Sequence, residues 1–172
     1  MGYNGILETP IGWLGISSTE DALVSVDWVD DPTQQTAESN SIAKETILQL
    51  KFYFCDPSFS FDLPLARQGT DHQNRVWQRL RTIPSGTSLY YGDLARDLSS
   101  SPRAIGNACR RNPIPIIVPC HRVVARSGLG GYSGHTSGPV QGIKQWLLRH
   151  ESVRAAATPK IQIPGLFALT ES

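Results

Sequence analysis

The 172-residue chain is 40% hydrophobic and 18% charged, the balance of a folded protein of one domain or two small ones and not of a disordered chain. No apolar run approaches the roughly 20 residues of a membrane span, and residues 1–14 lack the basic-then-apolar order of a signal peptide. Three cysteines are too few for a disulfide scaffold, so a cytoplasmic, reducing setting is expected. The net charge of +1 conceals a division. Residues 1–66 carry two lysines against ten acids, net −8, and residues 67–151 carry twelve basic residues against four acids, net +8. The expectation is an N-terminal unit over 1–66, a basic unit over 67–151 and a tail over 152–172, with the basic unit a candidate polyanion binder.

The acidic part opens with strand-like segments. Residues 5–17 hold a Thr9-Pro10-Ile11-Gly12 turn followed by Trp13-Leu14-Gly15-Ile16. Residues 23–28 alternate apolar and polar side chains, as a half-buried strand does. The polar stretch 30–40 reads as a loop. Across 41–54, Ala43, Ile47, Leu50 and Phe54 recur at helical spacing and predict one apolar helix face. The result is a small α+β unit without evident chemistry. Cys55, among aromatics at the helix end, reads as a buried spacer.

Composition changes over 64–69, read as a linker. Thr70 is placed to cap a helix over 70–82 with Val76, Trp77, Leu80 and Ile83 facing inward, ended by Pro84-Ser85-Gly86. A second helix, 91–98, offers Tyr91, Leu94, Ala95 and Leu98 as its apolar face. Ser101 as N-cap and Pro102 at the first helical position open a third helix, 102–111, with Ile105 and Ala108 inside and a stop at Asn112-Pro113. Three short helices with a tight serine-rich turn before the last form a helix-turn-helix pattern. The last helix carries Arg103, Arg110 and Arg111 separated by small residues such as Ala104. Small side chains let a helix approach a duplex closely, and arginines reach phosphates or bases.

The segment with chemistry is Asn112-Pro113-Ile114-Pro115-Ile116-Ile117-Val118-Pro119-Cys120-His121-Arg122-Val123-Val124. Its prolines are expected to hold the chain extended. Cys120 then stands beside His121 and Arg122, and the thiolate that acts as nucleophile is favoured by cationic or proton-accepting neighbours. A structural cysteine is the plainer reading of a lone thiol, but this setting favours a nucleophile. Adjacent side chains on a strand point to opposite faces, so either the chain turns at 119–120 or a water joins thiol and imidazole. A base needs an orienting group. Glu151, ending an amphipathic helix with Ile143, Trp146 and Leu147, is the expected orienter.

Cys109, Cys120, His121 and His150 show no paired metal-ligand spacing, so no metal site and no cofactor are expected. The glycine-rich run 128–134 does not lead from a strand into a helix ending in Lys-Ser/Thr, so it is no phosphate loop. It reads instead as a flexible wall beside a planar ligand.

Taken together, 112–124 with Pro119-Cys120-His121-Arg122-Val123 at its centre resembles the active-site signature of the O6-alkylguanine-DNA alkyltransferases, the methylated-DNA–protein-cysteine methyltransferases. The resemblance extends over 69–151 through Arg103-Ala104-Ile105-Gly106, Gly131-Tyr132-Ser133-Gly134 and Trp146-Leu147-Leu148-Arg149-His150-Glu151. It implies an α+β protein with an N-terminal ribonuclease H-like domain and a C-terminal winged-helix-like DNA-binding domain. It implies a monomer, able to associate on DNA, that binds double-stranded DNA through the minor groove and flips the damaged base out. A single, stoichiometric transfer would carry the alkyl group of O6-alkylguanine, and less readily O4-alkylthymine, to Cys120. By the same resemblance His121 is its base acting through a water, oriented by Glu151, and Asn112 braces the nucleophile loop. Tyr91 presses on the target phosphate and supplies a proton, and Arg103 fills the space left by the base. Ala104, Arg110 and Arg111 share the DNA face, and Tyr132, Ser133 and Val123 line the base pocket.

The chain departs from the family pattern at His135, in a longer segment over 136–142, at Cys109, read as a surface or spacer residue, and in the residues beyond 152. Three other readings are a lesion-binding relative that cannot accept the alkyl group, a DNA-binding regulator with an incidental cysteine, and a cysteine hydrolase. The first lacks the nucleophilic cysteine that Cys120 supplies, and the last has no need of the +8 surface.

Overall fold

The computed structural model describes residues 2–34, 37–132 and 139–155, which fall into two compact units. The first runs through Gln68 and reclaims Pro113–Pro115, and the second holds Gly69–Asn112 and the chain from Ile116. The division lies two residues past the expected boundary at 66, and the return of residues 113–115 to the first unit is not foreshadowed by composition or periodicity. Pro113 belongs with the first unit because its carbonyl accepts a hydrogen bond from the Val26 N–H at 3.0 Å.

In the first unit β1 (Gly5–Thr9), β2 (Gly12–Ser18) and β3 (Leu23–Val29) form an antiparallel meander in the order β1-β2-β3. Gly12, at φ +111°, turns the chain between the first two. Leu14, Ile16, Leu23 and Val26 are buried, as are Ala43 and Leu50 of helix α1 (Ser41–Cys55). Asn40 caps that helix by accepting from the Ala43 N–H at 2.8 Å. The expected loop over 30–40 contains one turn of 3-10 helix, Pro32–Gln34.

Two expectations fail here. Of the expected face of α1, Ala43 and Leu50 are buried and Ile47 and Phe54 only half-buried, while Thr46, Gln49 and Tyr53 are buried as well. Gln49 is drawn inward because its amide donates to the Asp62 carbonyl at 2.9 Å and accepts from the Asp62 N–H at 2.9 Å. Two backbone hydrogen bonds to a returning segment outweigh the apolar pattern. Cys55 is exposed, not a buried spacer. The supposed linker is also partly structured, since Leu23 and Leu65 form a parallel bridge, with the Leu23 N–H donating to Pro64 and the Ala66 N–H to Leu23, both at 2.8 Å.

The second unit is built on helices α2 (Asp71–Leu80), α3 (Tyr91–Asp97), α4 (Pro102–Arg110) and α5 (Pro139–Ala155), with two short strands, β4 (Leu89–Tyr90) and β5 (Val123–Val124), paired in parallel. Thr70 and Gln73 form a full capping box on α2. The Trp77 indole N–H ties α2 to α4 by donating to the Ala108 carbonyl at 2.9 Å. Val76, Leu80, Ile83, Leu94, Ile105 and Ala108 fill the interior between the helices, as the sequence periodicity predicts.

The turn between α3 and α4 is a Schellman arrangement. The Ser100 N–H donates to Ala95 at 2.8 Å and the Ser99 N–H to Arg96 at 3.3 Å, with Ser99 at φ +52°. Ser101 then accepts from the Ala104 N–H at 3.1 Å and Pro102 opens α4.

Helix α5 begins at Pro139 and runs past Glu151 to Ala155, so the expected loop over 136–142 is partly helical and the domain extends beyond 151. Ser133, His135 and the tail from 156 lie outside the described residues.

Ser99 occupies a left-handed position that glycine fills at less cost. Ser99→Gly is expected to stabilise the protein by about 0.5–1 kcal/mol, read as a raised midpoint in thermal unfolding. A lowered midpoint would show that the Ser99 side chain contributes something the turn geometry does not.

Candidate active site

The proline-rich approach to Cys120 is not extended. Residues 113–118 fold through turns, with Ile116 at φ +74°, a rare conformation for a β-branched residue. The Asn112 side-chain amide closes this loop by donating to the Val118 carbonyl at 2.8 Å. Cys120–Arg122 then form one turn of 3-10 helix, and Val123 and Val124 pair with Leu89 and Tyr90. The chain does turn there, yet His121 Nδ1 has no hydrogen-bond partner among the described residues, so the turn does not by itself pair thiol and imidazole.

That turn sends consecutive side chains to different partners. Cys120 lines a cavity of about 590 Å³ whose wall also includes Tyr91, Arg103, Gly106, Cys109 and Tyr132, a volume within the usual range for small-ligand pockets. His121 is wholly buried, and one ring nitrogen, Nε2, lies 2.8 Å from Glu151 Oε2. Arg122 donates through Nε to Glu151 Oε1 and through Nη2 to Oε2, both at 2.9 Å, and through Nη1 to the Ile83 carbonyl at 2.6 Å. Glu151 is therefore a buried carboxylate held by a bidentate guanidinium and an imidazole.

The electrostatics follow from this packing. Burial alone would raise the Glu151 pKa, but His121 and Arg122 hold it well below the usual carboxylate range. Burial lowers the His121 pKa, and the nearby carboxylate only partly offsets that. His121 is accordingly neutral near pH 7. With Nε2–H assigned to the Glu151 bond, Nδ1 is left as an acceptor, and that atom is buried without a hydrogen-bond partner among the described residues. Burial pushes the Cys120 thiol up, opposed by a hydrogen bond from the Asn112 side chain and by the charge of Lys144. The resting thiol is thus protonated, with a neutral imidazole beside it in sequence and a buried cation favouring its ionised form.

Lys144 is a site residue that sequence reasoning missed. Its ammonium is buried, donating to the Val123 carbonyl at 2.7 Å and the Gly131 carbonyl at 2.9 Å, and its pKa is lowered to about 8 by burial. The sequence does hold a signal. Lys144, Leu147, Leu148 and Glu151 follow i, i+3, i+4, i+7 spacing, which puts two charged residues on the buried stripe of α5. Arg122, expected as a cationic neighbour of the thiol, instead pairs with Glu151.

The other expected site residues are distributed as follows. Tyr91 lines the cavity, its hydroxyl 3.4 Å from the Gly131 carbonyl, and its pKa is raised by burial and by both thiols. Gly130, at φ +76°, lets that ring close in, since a Cβ there would meet Tyr91 Cε2 at 2.8 Å. Tyr132 is buried in the wall. Arg103 and Arg110 stand exposed at the cavity on α4, with Arg111 exposed at the helix end. Ala104 and Val123 are not among the lining residues; Ala104 lies in the first turn of α4 and Val123 is buried in β5. Cys109 is buried in the cavity wall, not at the surface, and burial raises its thiol pKa. Among the described residues no group of three or more His, Cys, Asp or Glu side chains is placed to hold a metal ion.

Glu151→Gln removes the charge that satisfies both His121 and Arg122. Breaking a buried ion pair in this way is expected to cost about 3–5 kcal/mol, read from urea unfolding at pH 7. Because the folded pKa of Glu151 is depressed, its contribution is present above the ordinary carboxylate pKa and is lost as pH falls through that range. A loss of under about 1 kcal/mol, the scale of an exposed pair, would contradict the assignment.

Comparison with known proteins fits this geometry. Residues 71–153 match the family model of the 6-O-methylguanine DNA methyltransferase DNA binding domain, and residues 3–67 match that of its ribonuclease-like domain. The constitutive methylated-DNA–protein-cysteine methyltransferase of Bacillus subtilis is 40% identical over 89% of this chain and 97% of its own. That of Methanosarcina acetivorans is 36% identical over 87% and 97%. Among solved structures, the Mycobacterium tuberculosis O6-methylguanine methyltransferase superposes with a TM-score of 0.76 at 35% identity over 91% of this chain and 96% of its own. The M. tuberculosis OGT in complex with DNA gives 0.73 at 36% identity over 87% and 92%. The two units thus correspond to a ribonuclease-like domain and a DNA-binding domain, and the chain belongs to the 6-O-methylguanine DNA methyltransferase family.

Proposed function

We propose that Cys120 is the acceptor in the family's reaction, the direct transfer of an alkyl group from the O6 of guanine in DNA to a protein cysteine, which repairs the DNA. The observation that carries this reading is the placement of Cys120 in the wall of a cavity with room for a base, with its neighbour His121 neutral and anchored by Glu151. Sulfur suits displacement at an alkyl carbon because it is soft and polarisable. The thiol proton passes to His121 Nδ1 through a water, and the sulfur forms a bond to the alkyl carbon as the carbon–O6 bond breaks. Guanine leaves with the bonding pair and takes up a proton at the Tyr91 end of the cavity, so the net change is thiol plus alkylguanine to thioether plus guanine. The thioether has no hydrolysis route, and each molecule acts once.

In this reading α4 enters the minor groove, Arg103 occupies the place of the extruded base, and Arg110 and Arg111 contact phosphates. What supports it is that these three arginines are exposed on one short helix beside the cavity, among small residues. Asn112 holds the nucleophile loop, and Tyr132 flanks the base. The protein is expected to act without a cofactor, and as a monomer.

Incubation with a short duplex carrying one O6-methylguanine is expected to add about 14 Da, one CH₂, to the intact protein, mapped to Cys120. Cys120→Ala should lose transfer and keep lesion binding, while Cys109→Ala should keep the adduct at Cys120. Transfer by Cys120→Ala would place the nucleophile elsewhere. Binding without an adduct in the native protein would make it a recognition protein only. Replacing Arg110 and Arg111 by alanine should lower the slope of log affinity against log salt by about two. An unchanged slope would remove them from the DNA face.

A further inference from the structure

We propose that Arg126 is a second phosphate clamp at the cavity, holding the lesion strand beside the extruded nucleotide; the inference rests on the alkyl-transfer reading above. Arg126 lines the same cavity as Cys120, but it enters from the segment after β5, whereas Arg103 and Arg110 enter from α4. Three arginines therefore reach the cavity from two separately anchored pieces of chain.

Arg126 is exposed, yet it is not free to wander. Its guanidinium carbon lies 4.2 Å from the centroid of the Tyr90 ring, and Nη2 donates to Asp93 Oδ1 at 3.1 Å. A surface arginine ordinarily loses side-chain entropy when it captures an anion, and here the contact with the Tyr90 ring and the hydrogen bond to Asp93 already narrow its freedom. Asp93 is shared with Arg96, which pairs with the same Oδ1. Two cations facing one carboxylate leave one positive charge uncompensated. Among the described residues Arg126 makes no further hydrogen bond, so the rest of its fork of N–H donors remains to be used.

The geometry selects a phosphate over a base. Tyr90 already occupies one side of the guanidinium, 4.2 Å from its carbon, which leaves less room to sandwich it between bases. The edge still presents parallel donors of the kind that grip two phosphate oxygens. A nucleotide whose base enters the cavity toward Cys120 must leave its backbone outside, where Arg126 stands. If Arg126 merely decorated the surface, its exposed pair with Asp93 would be expected to do little, and the removal of its charge would not be felt by DNA.

The test is single-turnover transfer from a duplex carrying one O6-methylguanine, with rate measured against DNA concentration at two salt concentrations, and with the unfolding midpoint of each variant measured alongside. Arg126→Ala is expected to raise the half-saturating DNA concentration about three- to tenfold and to lower the salt slope by about one. The limiting rate should change less than the half-saturating concentration. Arg126→Lys should keep the salt slope, because the charge remains, and recover only part of the affinity, because an ammonium neither stacks nor forks. Unchanged half-saturation and slope in Arg126→Ala would overturn the proposal. So would a weakening that merely tracks a lowered unfolding midpoint. Native protein that forms no adduct at Cys120 would instead sink the alkyl-transfer reading, whatever Arg126 does.

Discussion

The site depends on one buried carboxylate. A charged group taken out of water is costly unless it is paired and fully hydrogen-bonded, and Glu151 meets that condition with three donors from two consecutive residues, His121 and Arg122. Arg122 neutralises the charge and also reaches the Ile83 carbonyl just beyond α2, so the 3-10 turn carrying Cys120 is tied both to α5 and to the end of the α2 region. His121 receives its orientation from the same carboxylate. The placing of the turn that carries Cys120, the imidazole's tautomer and the docking of α5 therefore all draw on this one interaction.

Around this node charge is arranged in two ways. Inside, the groups are paired or neutral: Glu151 with Arg122, a neutral His121, protonated Cys120 and Cys109 thiols, and a lysine whose pKa has fallen to about 8. Outside, the arginines of α4 stand exposed. A thiol kept neutral until a base removes its proton avoids a standing buried thiolate. Lys144, reached electrostatically by Cys120, lowers the cost of the thiolate once it forms. Its two carbonyl contacts also join β5, the strand after Cys120, to the glycine-rich segment that receives Tyr91.

Much of this was legible in the sequence, unevenly. Caps and periodicity located α2, α3 and α4 because Thr70, Ser101 and Pro102 act locally, and the apolar stripes Val76-Leu80 and Ile105-Ala108 face one core. The signature named Cys120, His121, Glu151, Asn112 and Tyr91, and the fold puts Cys120 and Tyr91 in one cavity and His121 on Glu151. What stayed hidden were non-local effects. Gln49 is buried by backbone groups of a returning segment that no helical period reports. The proline-rich stretch turns instead of extending because Asn112 closes it onto Val118. Lys144 escaped notice, and Arg122 was set beside the thiol and not on Glu151, because the partner of a charged residue on an apolar stripe or within a motif is a non-local fact.

The most direct test of this arrangement is the protonation state of His121, read from ¹⁵N side-chain NMR of histidine-labelled protein at pH 7. A buried carboxylate bonded to Nε2 predicts a neutral ring with its proton on Nε2 and a bare, accepting Nδ1, and Glu151→Gln should disturb that tautomer. An imidazolium, or a proton residing on Nδ1, would contradict the account, because the ring could then no longer take the proton from Cys120.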